Sequence, residues 1–221
     1  MEPKGLMGGF YRISESIMRL AYVNLLWIVF TLLGGIVLGI IPATVSLFTI
    51  TRKWIMGEED CEVFKLFWKT YKQNFIKANI LGIFLMAAGL VLFLYYQSLQ
   101  ILPEQLSQIL LVFFYSILLI LGVVVAFIFP IFVHFKVKFA HYFKNALIIG
   151  LSFPHFAALM LFILVVFFVV YQFFPVLAIF FGVSVPAYLL MAISFIVFKK
   201  IELKQSKNNQ EYSGNSGRLS V

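Results

Sequence analysis

Few side chains in this chain could do chemistry together. Carboxylates cluster once, at Glu58, Glu59 and Asp60. Adjacent acids could serve proton transfer or hold a cation. The same run equally suits the N-terminal end of a following helix, whose dipole favours negative charge. The three histidines are His134, His141 and His155. His134 and His141 are seven apart, a spacing that would place them on one helical face at the membrane interface. No third ligand lies nearby, so they predict headgroup contacts rather than a metal centre. His155 follows Pro154 and reads as interfacial. The single cysteine, Cys61, excludes an internal disulfide framework and a multi-cysteine metal site. No phosphate-binding loop of the GxxxxGKS/T type and no HExxH zinc motif occurs. An enzyme acting on lipid or lipid-linked sugar would have to be assembled from Glu58, Glu59, Asp60 and the histidines, which show no recognisable arrangement. The expectation is a protein that is not an enzyme and carries no cofactor and no metal.

Polar residues inside the apolar stretches come next. Thr31, Thr44, Ser46, Thr49, Ser116, Ser184 and Ser194 carry hydroxyls that commonly bond back to their own helix. Asn24 and Asn79 are more informative, because a buried amide needs partners and usually bridges helices. Both read first as structural clamps and second as residues lining a site. No Asp, Glu, Lys or Arg stands in the middle of a long apolar run, which argues against a proton relay or an ion-coupled site.

The elements that must position these residues are set by composition. The 221 residues are 62% hydrophobic and only 12% charged. Several apolar runs approach the roughly 20 residues that cross a bilayer, which makes this an all-α polytopic membrane protein. The net charge of +8 sits beside the apolar runs, as in the positive-inside pattern, and does not read as a nucleic-acid surface. Residues 1–19 predict an interfacial helix that runs into the first span. Residues 60–77 predict a second amphipathic helix, with Phe64, Phe67, Trp68, Tyr71 and Phe75 on one face and Lys65, Lys69 and Lys72 on another. That helix would lie on the anionic inner leaflet. Further spans are expected over 78–96, 109–133, 156–171 and 176–198, with Pro130 and Pro186 inside the second and fourth of these. Residues 97–108 would form a polar external loop. One membrane domain would cover 1–205, followed by a polar, disordered cytoplasmic tail over 206–221.

Residues 20–59 decide the topology. They begin as an apolar helix carrying Asn24, break at Gly34, Gly35 and Gly39, restart at Pro42 and end in Arg52 and Lys53. Proline suits the first turn of a helix, and Gly57 suits its C-terminal cap. One topology is a single tilted or kinked helix of about 30 residues, close to 45 Å long. The other is a hairpin: a full span, a turn within 34–41 and a short return helix. Lys4, Arg12 and Arg19 favour the hairpin, since it keeps all 17 basic residues on the cytoplasmic side. The expected fold is therefore about five full transmembrane helices, a short return helix after the glycine–proline break, and interfacial amphipathic helices. Both termini would be cytoplasmic, in a bacterial plasma membrane. The break at Pro42 is also the best pointer to a cavity, because freed backbone groups need protein or water around them.

Four runs carry a resemblance. They are Asn24 to Trp27 (NLLW), Gly39 to Thr44 (GIIPAT), Arg52 to Glu59 (RKWIMGEE) and Phe67 to Gly82 (FWKTYKQNFIKANILG). Together they resemble the YesL-type family of Gram-positive bacterial membrane proteins, over about the first 80 residues. Beyond these the likeness rests on the pattern of apolar segments. The resemblance implies an integral membrane protein and brings no defined catalytic residues. Its motif positions are Asn24, Trp27, Pro42, Thr44, Arg52, Lys53, Trp54, Gly57 and Glu58. Arg52, Lys53 and Glu58 would stand at the cytoplasmic mouth, as a membrane-exit anchor or as a docking surface. Such proteins are often encoded near carbohydrate ABC-transporter components and glycan-degrading enzymes. The implied function is a non-catalytic accessory or regulator of carbohydrate uptake or sensing, with transporter or sensor subunits as partners. The alternative is a small transporter or channel for a sugar or other small solute.

Overall fold

The structure is a computed structural model that describes the backbone of residues 6–216, with side chains described at residue 11 and over 13–206. Lys4 lies outside the described residues, and of Arg12 only the backbone is described. The described chain folds into eight helices in the order α1 (Leu6–Leu33), α2 (Val37–Ile55), α3 (Val63–Leu99), α4 (Glu104–His134), α5 (Phe139–Ser152), α6 (Pro154–Phe173), α7 (Pro175–Phe181) and α8 (Ser184–Ser216). Five segments are long and apolar enough to cross a membrane, within α1, α3, α4, α6 and α8. Their outward faces carry large apolar side chains such as Ile83, Leu94, Val112, Leu119, Phe162 and Val165. Lipid covers such faces; water would leave an extended sticky surface. The chain is a multi-pass membrane protein.

α1 and α2 form the hairpin. The chain turns over at Gly35 (φ +71°) and Ile36 (φ +63°). The Trp27 indole Nε1–H then meets Thr44 Oγ1 at 3.0 Å across the two helices. In one continuous helix these residues, 17 apart, would stand about 25 Å from each other. Close approach depends on Gly39, where a Cβ would overlap the Thr31 carbonyl. Glycine thus lets one backbone lie directly on the other.

The turn differs in detail from the expectation. α2 resumes at Val37, so Pro42 is the sixth residue of the helix instead of its first. Val37 to Ile41 can already be helical once Gly35 and Ile36 have reversed the chain, so the break is shorter than the glycines and proline suggest. The far end follows expectation. Gly57 takes φ +87°, its N–H bonds the Trp54 carbonyl at 3.0 Å, and the Glu58 N–H bonds the Lys53 carbonyl at 3.0 Å. This is a Schellman cap.

α2 is the buried centre of the fold. It packs against α1, α3, α4 and α8. Small residues explain why: Gly39, Ala43, Thr44, Ser46 and Thr51 are all buried on it. Lipid is as apolar as leucine, so helices associate through close packing, which small side chains permit. The hydroxyls do not disturb this contact. Thr44, Ser46, Thr49 and Thr51 donate to the carbonyls of Ile40, Pro42, Val45 and Phe48 at 2.8–3.0 Å. Around them Leu47, Ile50, Phe127, Ile131 and Met191 fill the interior.

Three further expectations change. The amphipathic helix over 60–77 and the span over 78–96 are one unbroken helix, α3. Its aromatic stripe is also partly inside the protein. Phe67 and Tyr71 are buried and pack with Phe30 at 4.9 and 5.2 Å between ring centroids. Phe64 and Trp68 stay exposed. The connection expected as an external loop shrinks to residues 100–103, since α3 and α4 extend into it. The return span from 176 is split at Gly182 and Val183 into α7 and α8. Pro186 therefore sits in the first turn of α8, where its missing N–H has no intrahelical role. The polar tail expected from residue 206 falls mainly on residues whose side chains are not described. The backbone of α8 continues through that point to Ser216.

Candidate functional site

The sequence-predicted residues do not converge on one pocket. They divide among a hairpin lock, an interhelical clamp and a charged end.

The lock is Trp27, Pro42 and Thr44. Thr44 Oγ1 accepts the Trp27 indole proton and donates its own proton to the Ile40 carbonyl. Pro42 is buried beside it. A cleft of about 310 Å³ opens next to Thr44, between α2, α4, α6 and α8. Phe48, Phe129, Phe167 and Leu190 line it, and its walls are almost wholly apolar. Pro42 itself does not line this greasy side cleft, which could accept an acyl chain but offers little to a polar solute.

The clamp is Asn24, which is 1% exposed. Its Nδ2 donates to the Ile179 carbonyl at 2.7 Å. Its Oδ1 accepts from the Val183 and Ser184 N–H groups at 3.0 and 3.1 Å. One amide therefore closes the end of α7 and the start of α8, whose first N–H groups have no intrahelical partner. Asn79 behaves differently. Its Nδ2 bonds the Phe75 carbonyl of its own helix at 2.8 Å, and no bridge to another helix is formed among the described residues. Trp54 is buried, with its indole N–H lacking a partner among the described residues.

The charged end gathers Arg52, Lys53, Gly57 and Glu58. Lys53 Nζ and Glu58 Oε2 are 2.6 Å apart, so the two residues joined by the Schellman backbone bond are also joined by their side chains. That hydrogen bond from Lys53 holds the Glu58 carboxyl below the usual carboxylate range. Arg52 turns the other way. Its Nε–H donates to His134 Nδ1 at 3.2 Å. An accepting Nδ1 places the imidazole proton on Nε2. That nitrogen faces Glu202 Oε1 at 3.6 Å. The ring is 11% exposed and edged by Phe135, Phe195 and Phe198. Arg52, His134 and Glu202 therefore tie together the ends of α2 and α4 and the distal part of α8. Arg19 adds a second tie, to Glu15 at 2.6 Å and to Glu59 at 2.7 Å.

His134 and Glu202 were not recognisable in advance as partners of Arg52. They lie 82 and 150 residues away in the chain, and only their shared place beside basic apolar-run ends hints at a meeting. His134 and His141 do not share a helical face, because α4 ends at His134 and α5 starts at Phe139. Among the described residues no group of three or more His, Cys, Asp or Glu side chains is arranged to hold a metal ion.

Comparison with known proteins places these motifs in a family. Residues 20–96, which run from within α1 through α2 and most of α3, match the family described as "Protein of unknown function, DUF624". The chain is 38% identical to the uncharacterized protein YteU of Bacillus subtilis (strain 168) over 203 residues, covering 91% of this chain and 90% of the relative. It is 35% identical to the uncharacterized protein YesL of the same organism over 199 residues, covering 90% and 94%. A third relative there, the uncharacterized protein YesV, is 33% identical over 148 residues, covering 65% and 69%. No solved structure matches significantly. By its motifs and by likeness over nearly its whole length, the chain belongs to the YesL-type family of DUF624 membrane proteins.

Proposed function

We propose that this chain is a non-catalytic accessory protein of the bacterial plasma membrane, docking through the charged end of its bundle onto a transporter or sensor that handles carbohydrate. The observation that carries this reading is the split between a filled interior and a charged end. Leu47, Ile50, Phe127, Ile131 and Met191 occupy the space around α2. A solute path along the bundle axis would need polar or hydrated walls there. Arg52, Lys53 and Glu58 instead sit where α2 ends, with Glu202 of α8 reached through His134, and Glu58 and Glu202 are well exposed. Charged groups held in fixed geometry at a rim select partners and steer encounter. The positive-inside pattern turns this end to the cytoplasm, where the nucleotide-binding or signalling subunits of such systems reside.

The test is site-specific photocrosslinking in intact membranes, with the reactive residue at Lys53 or Glu58 and cells grown on a polysaccharide. The reading expects a crosslink to a transporter or sensor subunit that is lost when Arg52 and Glu202 are replaced by alanine. Absence of any such crosslink during active sugar uptake would sink it. So would solute flux through the purified protein alone in liposomes, which is the result a small transporter or channel requires.

A further inference from the structure

A second cleft, larger than the one beside Thr44, lies between α5, the end of α4 and the distal part of α8, with a volume of about 570 Å³. Its lining is mixed in chemistry. Apolar side chains come from Ile148, Phe153 and Ile201. Polar and basic side chains come from Lys200, Lys204, Asn145 and Ser152. Lys200 Nζ stands 4.7 Å from the centre of the Phe156 ring. A cation over an aromatic face is held without being neutralised, so this ammonium remains available to an anion. The cleft also contains one carboxylate, Glu202. Glu202 faces His134 at 3.6 Å, and His134 is bonded in turn by the Arg52 guanidinium. That carboxylate thus has a partner of its own in the His134 ring.

We propose that this cleft holds the phosphodiester headgroup of one anionic phospholipid. Lysine ammonium groups bind phosphate as point charges, and the Asn145 amide and Ser152 hydroxyl add neutral donors. A free phosphate would use only the polar lining. A phospholipid uses the apolar lining as well, because its acyl chains can meet Ile148, Phe153 and Ile201 while the headgroup meets the lysines. Basic pockets between membrane helices select anionic headgroups on these grounds. Such a lipid would fasten α5 to α8, which α5 does not otherwise contact extensively. The inference concerns the isolated protein and stands apart from the docking reading above.

Native mass spectrometry of the full chain tests it, after release from detergent micelles containing equal phosphatidylglycerol and phosphatidylcholine. One phosphatidylglycerol should be retained per chain in preference to phosphatidylcholine. The double variant K200Q/K204Q should retain about thirtyfold less, in line with the attraction each lysine contributes near anionic lipid. A second variant, Asn145→Leu, leaves the charges unchanged and removes a headgroup donor; it should also lose phosphatidylglycerol, and it carries the test if the double variant does not fold. Equal retention of the two lipids overturns the proposal, and so does undiminished phosphatidylglycerol binding in folded variants. Displacement of phosphatidylglycerol by millimolar inorganic phosphate overturns the lipid assignment in favour of a free-phosphate site.

Discussion

Asn24 accepts a hydrogen bond from the Ser184 backbone at 3.1 Å, across 160 residues of chain. With the bonds to Val183 and Ile179, it makes one side chain the mortar between α1 and the α7–α8 corner. Removing it leaves buried main-chain groups unpaired in an apolar setting, which costs more than the loss of the bonds alone. Asn24→Ala should lower stability by about 2 kcal/mol, the scale of interhelical polar contacts that leave partners unsatisfied. Thermal unfolding in detergent measures the loss. Amide exchange at Val183 and Ser184 should quicken in the same variant. An unchanged midpoint and unchanged exchange would show that the corner holds without the clamp.

A second consequence concerns the hairpin. A Cβ at Gly39 would run into the Thr31 carbonyl, which belongs to backbone and cannot rotate away. Gly39→Ala should therefore force α1 and α2 apart and cost about 3 kcal/mol or more, as overpacking against a rigid neighbour does. Gly35→Ala meets no neighbour, since nothing lies within 4 Å of a Cβ there. Its penalty comes from φ +71° alone and should be about 1 kcal/mol. Folded yield and midpoint of the two variants, measured side by side, separate steric closure from backbone conformation. Equal behaviour of the two would contradict the close approach.

These two sites show what a reader of the sequence can and cannot extract. The hairpin was legible because charge placement is a one-dimensional signal: Arg19 before the apolar run, and Arg52 and Lys53 after it, belong on one side. The cap at Gly57 was legible because a helix end needs only local residues. Asn24 was recognisable as an amide in need of partners, but those partners are main-chain atoms of Ile179, Val183 and Ser184 and carry no side-chain signature. The same holds for the division of the last span into α7 and α8. Residues 176–198 read as one apolar helix, and the amide that bonds the break at Val183 and Ser184 comes from α1, far away in the chain. Arg52, His134 and Glu202 meet only because the ends of α2 and α4 converge on the distal part of α8.

The Lys53–Glu58 pair yields a pH effect with a definite sign. The folded-state carboxyl of Glu58 titrates below its unfolded value because Lys53 bonds its ionised form. The contribution is thus fully present above the unfolded pKa of about 4.3 and is lost as pH falls through the lower, folded one. Glu58→Gln should trail the natural protein slightly at neutral pH, and the gap should close under acid. Both groups are exposed, so salt should narrow the gap as well. Midpoints of the two proteins across an acid titration decide it; a gap that persists at the lowest pH would refute the pairing.

The three ties at the charged end make a prediction about sidedness. Arg19 bonds Glu59, two residues before Cys61, and Arg52 joins Glu202 through His134. Cys61 and Glu202 must therefore lie on one side of the membrane. Ile101 sits just before α4, a membrane-crossing helix that ends at His134, and so must lie on the other side. An impermeant maleimide applied to intact cells should label Ile101→Cys in a Cys61→Ser background. The natural Cys61, and Glu202→Cys in the same Cys61→Ser background, should label only after permeabilisation. If Cys61 and Glu202→Cys label from opposite sides, the meeting of α2, α4 and α8 is wrong. If both label from outside while Ile101→Cys does not, the bundle stands but its orientation is reversed, and the docking surface would then face the wrong compartment for a cytoplasmic partner.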